Sequence, residues 1–249
     1  MIFKQLFEPD SSSYTYLLGC RDSGQAVLID PVLETVERDQ RVIQELGLKL
    51  AYCIETHIHA DHLTGARKLK YLLGSKIAGP ALDGVACRDV GLREGELFRV
   101  GSIEIHPLFT PGHTDTHHAY LIDNGTHPLL FSGDALLIDS CGRTDFQSGD
   151  AGMLYASIQK KFFTLPDETL LYPAHDYNQR QVSTIGQEKI RNPRIAGKAE
   201  QEFVSIMHHL KLPHPRKMEF AVPGNMHCGE CPPNVPDEFK GPCEVSEQG

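Results

Sequence analysis

The stretch Thr56-His57-Ile58-His59-Ala60-Asp61-His62 places four side chains that can bind a metal within six positions of the chain. It follows Lys49-Leu50-Ala51-Tyr52-Cys53-Ile54, an apolar run rich in strand-forming residues, which predicts a buried strand ending just before the histidines. Ordinary loops are built from turn formers such as Gly, Pro and Asn. Imidazoles and carboxylates are instead the ligands that first-row transition metals prefer. The stretch therefore predicts a metal site at the exit of a strand.

Three more predicted strands end in turns that carry a histidine or an aspartate. These residues are His113 in a Pro-Gly-His sequence, Asp134 in a Ser-Gly-Asp sequence and His175 in a Pro-Ala-His sequence. If the strands of a sheet deliver such turns to the same edge, the side chains can meet around one or two ions. The order of the motifs thus predicts one composite site rather than four separate ones.

Apolar periodicity predicts the elements around these turns. Strands are expected at 2–7, 14–18 and 26–30, a hairpin over 97–108, and amphipathic helices at 35–46, 65–73 and 153–163. From about residue 183 the pattern is again helical. We expect a catalytic domain over residues 1–222 that includes these C-terminal helices, and an extended tail containing Cys and Pro over 223–249.

Length, composition and charge exclude several classes of protein. The chain has 249 residues, of which 40% are hydrophobic and 23% charged, as expected for a soluble globular protein. A net charge of −9 without clusters of Lys and Arg argues against nucleic acid as a partner. No run approaches the roughly 18 apolar residues of a membrane span, and the first residues lack the layout of a signal or transit peptide. We expect a cytoplasmic protein without a membrane partner.

The seven cysteines are scattered and odd in number. Such spacing in a chain of this size predicts reduced thiols rather than a disulfide framework. Cys228-Gly229-Glu230-Cys231 has the spacing of a zinc or redox pair, but no second pair follows and only Cys243 lies nearby. The roles of these three cysteines are left open.

The ordered set of motifs resembles the metallo-β-lactamase superfamily over about residues 17–175. The resemblance implies an α/β protein, an αββα sandwich of two mixed sheets with helices outside and the metal site at one sheet edge. It also implies two metal positions. One would be lined by His57, His59, His113 and Asp134, and the other by Asp61, His62 and His175 with Asp134 bridging.

Further stretches are similar to the persulfide dioxygenases of this superfamily. They are Asp30-Pro31-Val32-Leu33-Glu34-Thr35, His59-Ala60-Asp61-His62-Leu63-Thr64-Gly65, Cys141-Gly142-Arg143-Thr144-Asp145-Phe146-Gln147, Tyr172-Pro173-Ala174-His175-Asp176-Tyr177, Asn192-Pro193-Arg194 and Phe220-Ala221-Val222-Pro223-Gly224-Asn225-Met226. This resemblance implies one iron(II) per chain, Fe(2+), held by His57, His113 and Asp134. His59, Asp61, His62 and His175 would then orient the ligands or form an empty second site. The implied reaction oxidises glutathione persulfide with O₂ to sulfite and glutathione, in sulfide detoxification.

The main alternative is a binuclear zinc hydrolase of the glyoxalase II type, which cleaves a glutathione thioester. That chemistry needs two ions bridged by Asp134, whereas the dioxygenase needs open positions on one ion. Whether His59 and His175 coordinate metal separates the two, and their spacing does not decide it. A metal-stabilised binding module without turnover is disfavoured, because structural metal sites are usually closed and rich in sulfur.

Substrate contacts are expected from Arg143, Tyr177 and Arg194, because glutathione carries two carboxylates that suit arginine forks and aromatic surfaces. A structural salt bridge with Asp145 is an equal alternative for Arg143. The unusual His117-His118 pair is expected to be an exposed polar entry to a strand. The sequence does not fix the oligomeric state, and a homodimer stays an open option.

Overall fold

The computed structural model describes residues 1–233, 235–240 and 243, and it contains two sheets of six strands each. The first sheet has the order β1-β2-β3-β4-β5-β6, with β3 to β6 parallel. Its strands are β1 Ile2–Glu8, β2 Ser13–Gly19, β3 Gln25–Ile29, β4 Lys49–Ile54, β5 Lys76–Pro80 and β6 Val90–Leu92.

The second sheet has the order β12-β11-β10-β9-β8-β7, in which only β10 and β11 are parallel. Its strands are β7 Phe98–Val100, β8 Ile103–Phe109, β9 His118–Asp123, β10 Pro128–Gly133, β11 Leu170–Pro173 and β12 Ser183–Thr184. The helices are α1 Val36–Glu45, α2 Ala66–Leu73, α3 Ala151–Ser157, α4 Ile185–Arg191, α5 Glu200–His208 and α6 Met218–Asn225. A π-helical segment, Ile158–Phe162, continues α3.

Apolar side chains divide the molecule into layers. Tyr16 and Ile54 of the first sheet pack with Tyr120 and Phe131 of the second in a central core. Outer cores lie under α1 and α2 on one side and under α3 and α5 on the other. Every residue of β2 is buried, because each face of that strand meets a core. The predicted αββα sandwich is confirmed.

The segment after residue 222 departs from the predicted extended tail. Helix α6 runs from Met218 to Asn225 and so crosses the predicted boundary between 222 and 223. Phe220 of this helix packs in the outer core under α1 and α2. Cys228 and Val235, which follow the helix in the sequence, are also buried. The segment is therefore packed on the body where the structure describes it. Residues 234, 241, 242 and 244–249 of the predicted tail lie outside the described residues.

Two disulfides overturn the expectation of reduced thiols for four of the seven cysteines. Cys87 is bonded to Cys228 and Cys231 to Cys243, with Cα atoms 6.2 and 5.7 Å apart. Partners separated by 141 positions leave no local signal in the sequence, and only the packing of α6 brings them within bridging distance. The other three cysteines are free and buried.

Candidate metal centre

Four strand exits meet at one edge of the sandwich, as the order of the motifs predicts. His57 follows β4, His113 follows β8, and Asp134 and His175 follow the parallel pair β10 and β11. One ligand atom from each of His57, His113 and Asp134 lies within 4.8 Å of the other two. The Nε2 atom of His113 is 3.6 Å from Oδ2 of Asp134. Ligands about 2.1 Å from a shared ion can be up to ~4.2 Å apart, so this pair fits a metal.

Hydrogen bonds fix the tautomer of His57. The Thr56 hydroxyl donates to Oδ2 of Asp30 at 2.9 Å, and the Thr56 amide donates to Oδ1 at 2.7 Å. Because the Thr56 hydroxyl already donates its proton to Asp30, its oxygen can only accept from His57. Nδ1–H of His57, 2.9 Å away, therefore donates to Thr56 Oγ1. This leaves the lone pair of Nε2 for a metal. Burial, with the neighbouring imidazoles, holds the pKa of His57 well below its usual value, which favours this neutral form.

His113 is oriented in the same way by a different partner. Its Nδ1–H donates to the carbonyl oxygen of Arg143 at 2.7 Å, which leaves Nε2 on the side of Asp134. Burial lowers the pKa of His113, so this imidazole is also neutral near pH 7. The site thus offers two neutral imidazoles, the form in which histidine binds a metal.

The Asp134 carboxylate divides its oxygens between two directions. Oδ1 accepts Nδ1–H of His175 at 2.6 Å, while Oδ2 faces His113. Burial alone would raise its pKa, but the charge and hydrogen bond of His175 lower the pKa of Asp134 to about 2. One oxygen of a permanently ionised carboxylate therefore completes the set of three.

Three of the remaining candidate ligands, Asp61, His62 and His175, hydrogen-bond to one another. Nε2–H of His175 donates to Oδ2 of Asp61 at 2.9 Å, and so does Nδ1–H of His62 at 2.9 Å. Burial lowers the pKa of His175, but Asp134 and Asp61 outweigh it and raise that pKa well above the usual value. The Ser13 hydroxyl also lies 3.0 Å from Nε2 of His175. Both nitrogens of His175 are thus engaged.

The ring of His59 lies between those of His57 and His62, with centroids 4.1 and 4.4 Å away, and it also faces two carboxylates. Its Nε2 lies 3.2 Å from Oδ1 of Asp30 and 3.5 Å from Oε2 of Glu55, all three side chains being buried. Burial alone would lower its pKa, but these carboxylates raise the pKa of His59 to about 10. Asp30 and Glu55 had no assigned role in the sequence, although Asp30 opens one of the family stretches. Asp30 comes close to His59 only in the folded chain, whereas Glu55 lies four positions before His59 in the sequence.

Asn225, at the end of α6, is a second residue that sequence reasoning missed. Its Nδ2 donates to the carbonyl oxygens of His59 and His62 at 2.9 and 2.8 Å, and its Oδ1 accepts the amide of Thr64 at 2.8 Å. The side chain is buried. The C-terminal helix therefore fastens the loop that follows His57. The stretch Phe220 to Met226 was the available signal, since it matches the family.

His117 and His118 do not form the predicted exposed entry to a strand, because both side chains are buried. His118 begins β9, and its amide donates to the carbonyl oxygen of Thr56 at 2.9 Å. This bond ties the start of β9 to the histidine loop. The pair was misjudged because polar residues next to a turn resemble solvated ones until the opposing turns are in place.

A cavity of about 840 Å³ opens beside the three candidate ligands. Arg143, Phe146, Tyr177 and Arg194 line its walls, and its far side comes from residues 212–217 with Glu238 and Phe239. The segment after α5 was not predicted to form part of the site. It brings Arg216 and Lys217 to the cavity lining, paired with Glu238 and Glu34 respectively.

The three predicted substrate residues all line this cavity, in different states. The Arg143 guanidinium forks onto Asp145 with two bonds of 2.7 Å and also donates to the carbonyl oxygens of Leu212 and Pro213. Tyr177 is 74% exposed, with its ring parallel to that of His175. The side chain of Arg194 contacts only Cys141 by hydrogen bonds among the residues that the structure describes.

Comparison with known proteins agrees with this geometry. The family model described as the metallo-beta-lactamase superfamily matches residues 9–175. The human protein named persulfide dioxygenase ETHE1, mitochondrial, is 48% identical over 230 residues, covering 92% of this chain and 89% of its own. The hydroxyacylglutathione hydrolase of a Polaromonas species is 34% identical over 171 residues, covering 66% of this chain and 62% of its own. The similarity is thus more extensive on the dioxygenase side.

The crystal structure of ETHE1 from Myxococcus xanthus superimposes on the chain with a TM-score of 0.88. The two are 49% identical, and the match covers 92% of this chain and all of that one. A metallo-beta-lactamase structure from Staphylococcus aureus gives a TM-score of 0.85 at 27% identity. Fold and sequence therefore lead to the same relatives.

Proposed function

The chain belongs to the metallo-β-lactamase superfamily and, within it, to the persulfide dioxygenases, and from that premise we propose that it oxidises glutathione persulfide with O₂ at one iron(II) ion. The reaction breaks the sulfur–sulfur bond and transfers three oxygen atoms to the terminal sulfur, two from O₂ and one from water. Its products are sulfite, glutathione and two protons, so atoms and charge balance.

The observation that carries the proposal is the division of the polar side chains into two groups. One potential metal-ligand atom in each of His57, His113 and Asp134 makes no hydrogen bond to the protein. These three atoms lie close together, and the three side chains line the cavity. Of the other candidate ligands, His175 is hydrogen-bonded to two carboxylates and Nε2 of His59 faces Asp30 and Glu55. His59, Asp61 and His62 still have ligand atoms within 4.8 Å of one another. A second ion would need His175 as a ligand, and both nitrogens of His175 are hydrogen-bonded to carboxylates, which supports one ion with three protein ligands.

The donor set fits iron(II). Bound by two imidazoles and one carboxylate, iron(II) would supply the one-electron steps that let spin-paired sulfur react with O₂. The chain contributes orientation: Thr56 and the Arg143 carbonyl hold the Nδ1 protons of His57 and His113, so that both Nε2 lone pairs face inward. His175 holds its proton against Asp134 and keeps that carboxylate in one orientation.

The cavity supports a peptide-like thiol as substrate. Glutathione has two carboxylates and an ammonium group, and the rim carries both signs of charge, with Arg194 and Arg216 as cations and Asp10 and Glu238 as anions. We propose that Arg194 and Tyr177 contact the substrate. Arg143, whose fork is taken by Asp145, contributes mainly a wall, with its guanidinium 4.8 Å from the Phe146 ring centroid.

Metal content and oxygen uptake test the proposal together. The protein reconstituted with iron under argon is expected to bind about one iron per chain and to consume O₂ with glutathione persulfide. Asp134→Ala should lose both properties, whereas Asp115→Ala, the same change at an exposed position of the same region, should keep them. Two zinc ions per chain, no O₂ uptake and hydrolysis of S-lactoylglutathione would establish the glyoxalase II-type alternative instead.

Location and assembly stay predictions. The described part of the chain has no helix long and apolar enough to cross a membrane. Disulfides are rare in reducing compartments, so the redox state of these four cysteines bears on the cytoplasmic location that the sequence predicts. Counting reactive thiols in protein freshly extracted under acid would decide the redox state: three per chain if both bridges persist, and seven if neither does.

A further inference from the structure

We propose that His117 is a positioning residue for the metal centre, because its Nε2 accepts the backbone amide of Asp134 and so fixes the direction in which that carboxylate leaves the chain. The nitrogens are 3.2 Å apart, and the side chain of His117 is completely buried. Within the described ranges no other acceptor is found for this amide. A buried N–H without an acceptor is destabilising, so the contact has energetic weight.

The ring is held from its other side as well. Nδ1 of His117 lies 2.8 Å from the Thr110 hydroxyl, and the Thr110 amide donates to the carbonyl oxygen of His117 at 2.9 Å. Because Nε2 accepts a hydrogen bond, the proton of the neutral ring sits on Nδ1 and is donated to Thr110 Oγ1. The imidazole thereby joins the turn that carries His113 to the turn that carries Asp134.

The Ser132-Gly133-Asp134 turn is shaped around this ring. A Cβ atom on Gly133 would lie 2.4 Å from Nε2 of His117, and Gly133 has a φ of +54°, a conformation that favours glycine. Any side chain at 133 would therefore push the imidazole away from the Asp134 amide. The close approach of ring and backbone requires glycine for two independent reasons.

The ring of His117 also lies near that of His57, the third candidate ligand. The centroids of His117 and His57 are 5.1 Å apart, and those of His117 and His113 are 6.2 Å apart. His117 thus contacts elements that bear all three candidate ligands without offering a nitrogen of its own, since both nitrogens are hydrogen-bonded. Its effect on a metal would act through Asp134, whose Oδ2 must stay near Nε2 of His113 while Oδ1 stays on His175.

Two substitutions at 117 separate the hydrogen bond from simple space filling. His117→Leu removes the acceptor at similar volume, whereas His117→Gln keeps a carbonyl oxygen near the position of Nε2. His118→Leu is the matched control, because His118 is also buried but its ring packs on Phe109 and hydrogen-bonds the neighbouring Thr116 carbonyl instead of the Asp134 amide. The readout is the iron(II) dissociation constant, measured anaerobically by competition with a chelator.

We expect His117→Leu to raise that dissociation constant by about 10- to 100-fold, the usual effect of losing a group that orients a ligand. His117→Gln and His118→Leu should stay close to the wild-type value. Unchanged affinity in His117→Leu, or equal weakening in the Leu and Gln variants, would overturn the proposal. The inference rests on the proposed function only in taking Asp134 as a ligand, and no persulfide is used, so the failure of turnover in wild type would be seen separately.

A measurement on the unmodified protein covers the case in which His117→Leu does not fold. In the diamagnetic zinc-loaded protein, ¹⁵N NMR of labelled histidines should show His117 with its proton on Nδ1 and a bare Nε2. His117→Gln identifies the resonance by its loss. A proton on Nε2 would exclude the hydrogen bond from Asp134 and with it the proposed role.

Discussion

Replacing Asn225 should destabilise the fold through the loop that follows His57. The side chain makes three hydrogen bonds to that loop, to Thr64 N, His59 O and His62 O, all buried. A hydrogen bond contributes about 1 kcal/mol net. Asn225→Ala should therefore lower the free energy of unfolding by about 3 kcal/mol, a large part of the ~5–15 kcal/mol typical of a folded protein.

Substitution by aspartate tests whether the Asn225 side chain must donate hydrogen bonds. Asn225→Asp keeps the acceptor for the Thr64 amide but sets a carboxylate oxygen against two carbonyl oxygens, which lie 2.9 and 2.8 Å from the present Nδ2. We expect it to be at least as destabilising as alanine, because two acceptors facing a buried anion leave its charge uncompensated. Sequence similarity of Asp to Asn would suggest the reverse.

Urea unfolding of the metal-free proteins, followed by far-ultraviolet circular dichroism, measures the effect. Asn178→Ala, the same change in an exposed loop, is the control and should stay within about 0.5 kcal/mol of wild type. The iron affinity of Asn225→Ala should fall less than that of Asp134→Ala, since His57 is held separately by Thr56. A loss of less than 1 kcal/mol in Asn225→Ala, or an aspartate variant more stable than alanine, would refute the reasoning.

Three further predictions concern the metal, a disulfide and a buried acid. His57→Ala should abolish iron binding, whereas His62→Ala should weaken it less, since His62 contacts Asp61 rather than facing the three ligands; equal loss by metal analysis would favour two ions. Cys87→Ser removes the bond to Cys228, which joins residues 141 apart, and should lower the unfolding free energy by about 2–4 kcal/mol without reductant but hardly at all in excess dithiothreitol; a difference that survives reduction would argue against the bridge. Burial raises the pKa of Asp39 from 3.8 to about 6 despite its bonds to a neighbouring arginine, so the folded state binds the proton more tightly and stability falls as pH rises from about 4 to 6. The unfolding free energy of Asp39→Asn, relative to that of wild type, should rise by up to about 3 kcal/mol between pH 4 and pH 7. Parallel pH profiles of the two proteins would contradict this.

The sequence could predict the layers of the fold because burial leaves a periodic trace. The expected helix at 35–46 is α1, the expected hairpin is β7 with β8, and both agree with the structure to within one or two residues. The expected helix at 153–163 begins two residues earlier, where the Asp150 side chain accepts the Met153 amide, and ends in a π-helical segment. Periodicity does not report caps or helical pitch.

Local sequence patterns predicted neither the packed structure after residue 222 nor the disulfide bonds. Prolines and glycines after residue 222 suggest an extended chain, yet α6 continues through Pro223 because Phe220 is buried in the outer core and Asn225 is bonded to the loop. Likewise Cys87 and Cys228 become partners only once that helix has docked. Such contacts join segments more than a hundred residues apart, and no window of sequence contains both sides.

By itself the sequence determined which side chains could bind a metal and that strand ends would bring them to one edge, because ligand chemistry and strand patterning are both written locally. The tertiary structure decided how each candidate is used: His59 faces two carboxylates, His175 lies between two more, and His117 accepts the amide of Asp134. The physical reason is that a hydrogen bond extends only about 3 Å, so a nitrogen's partner depends on which distant segments the packed core brings within that distance.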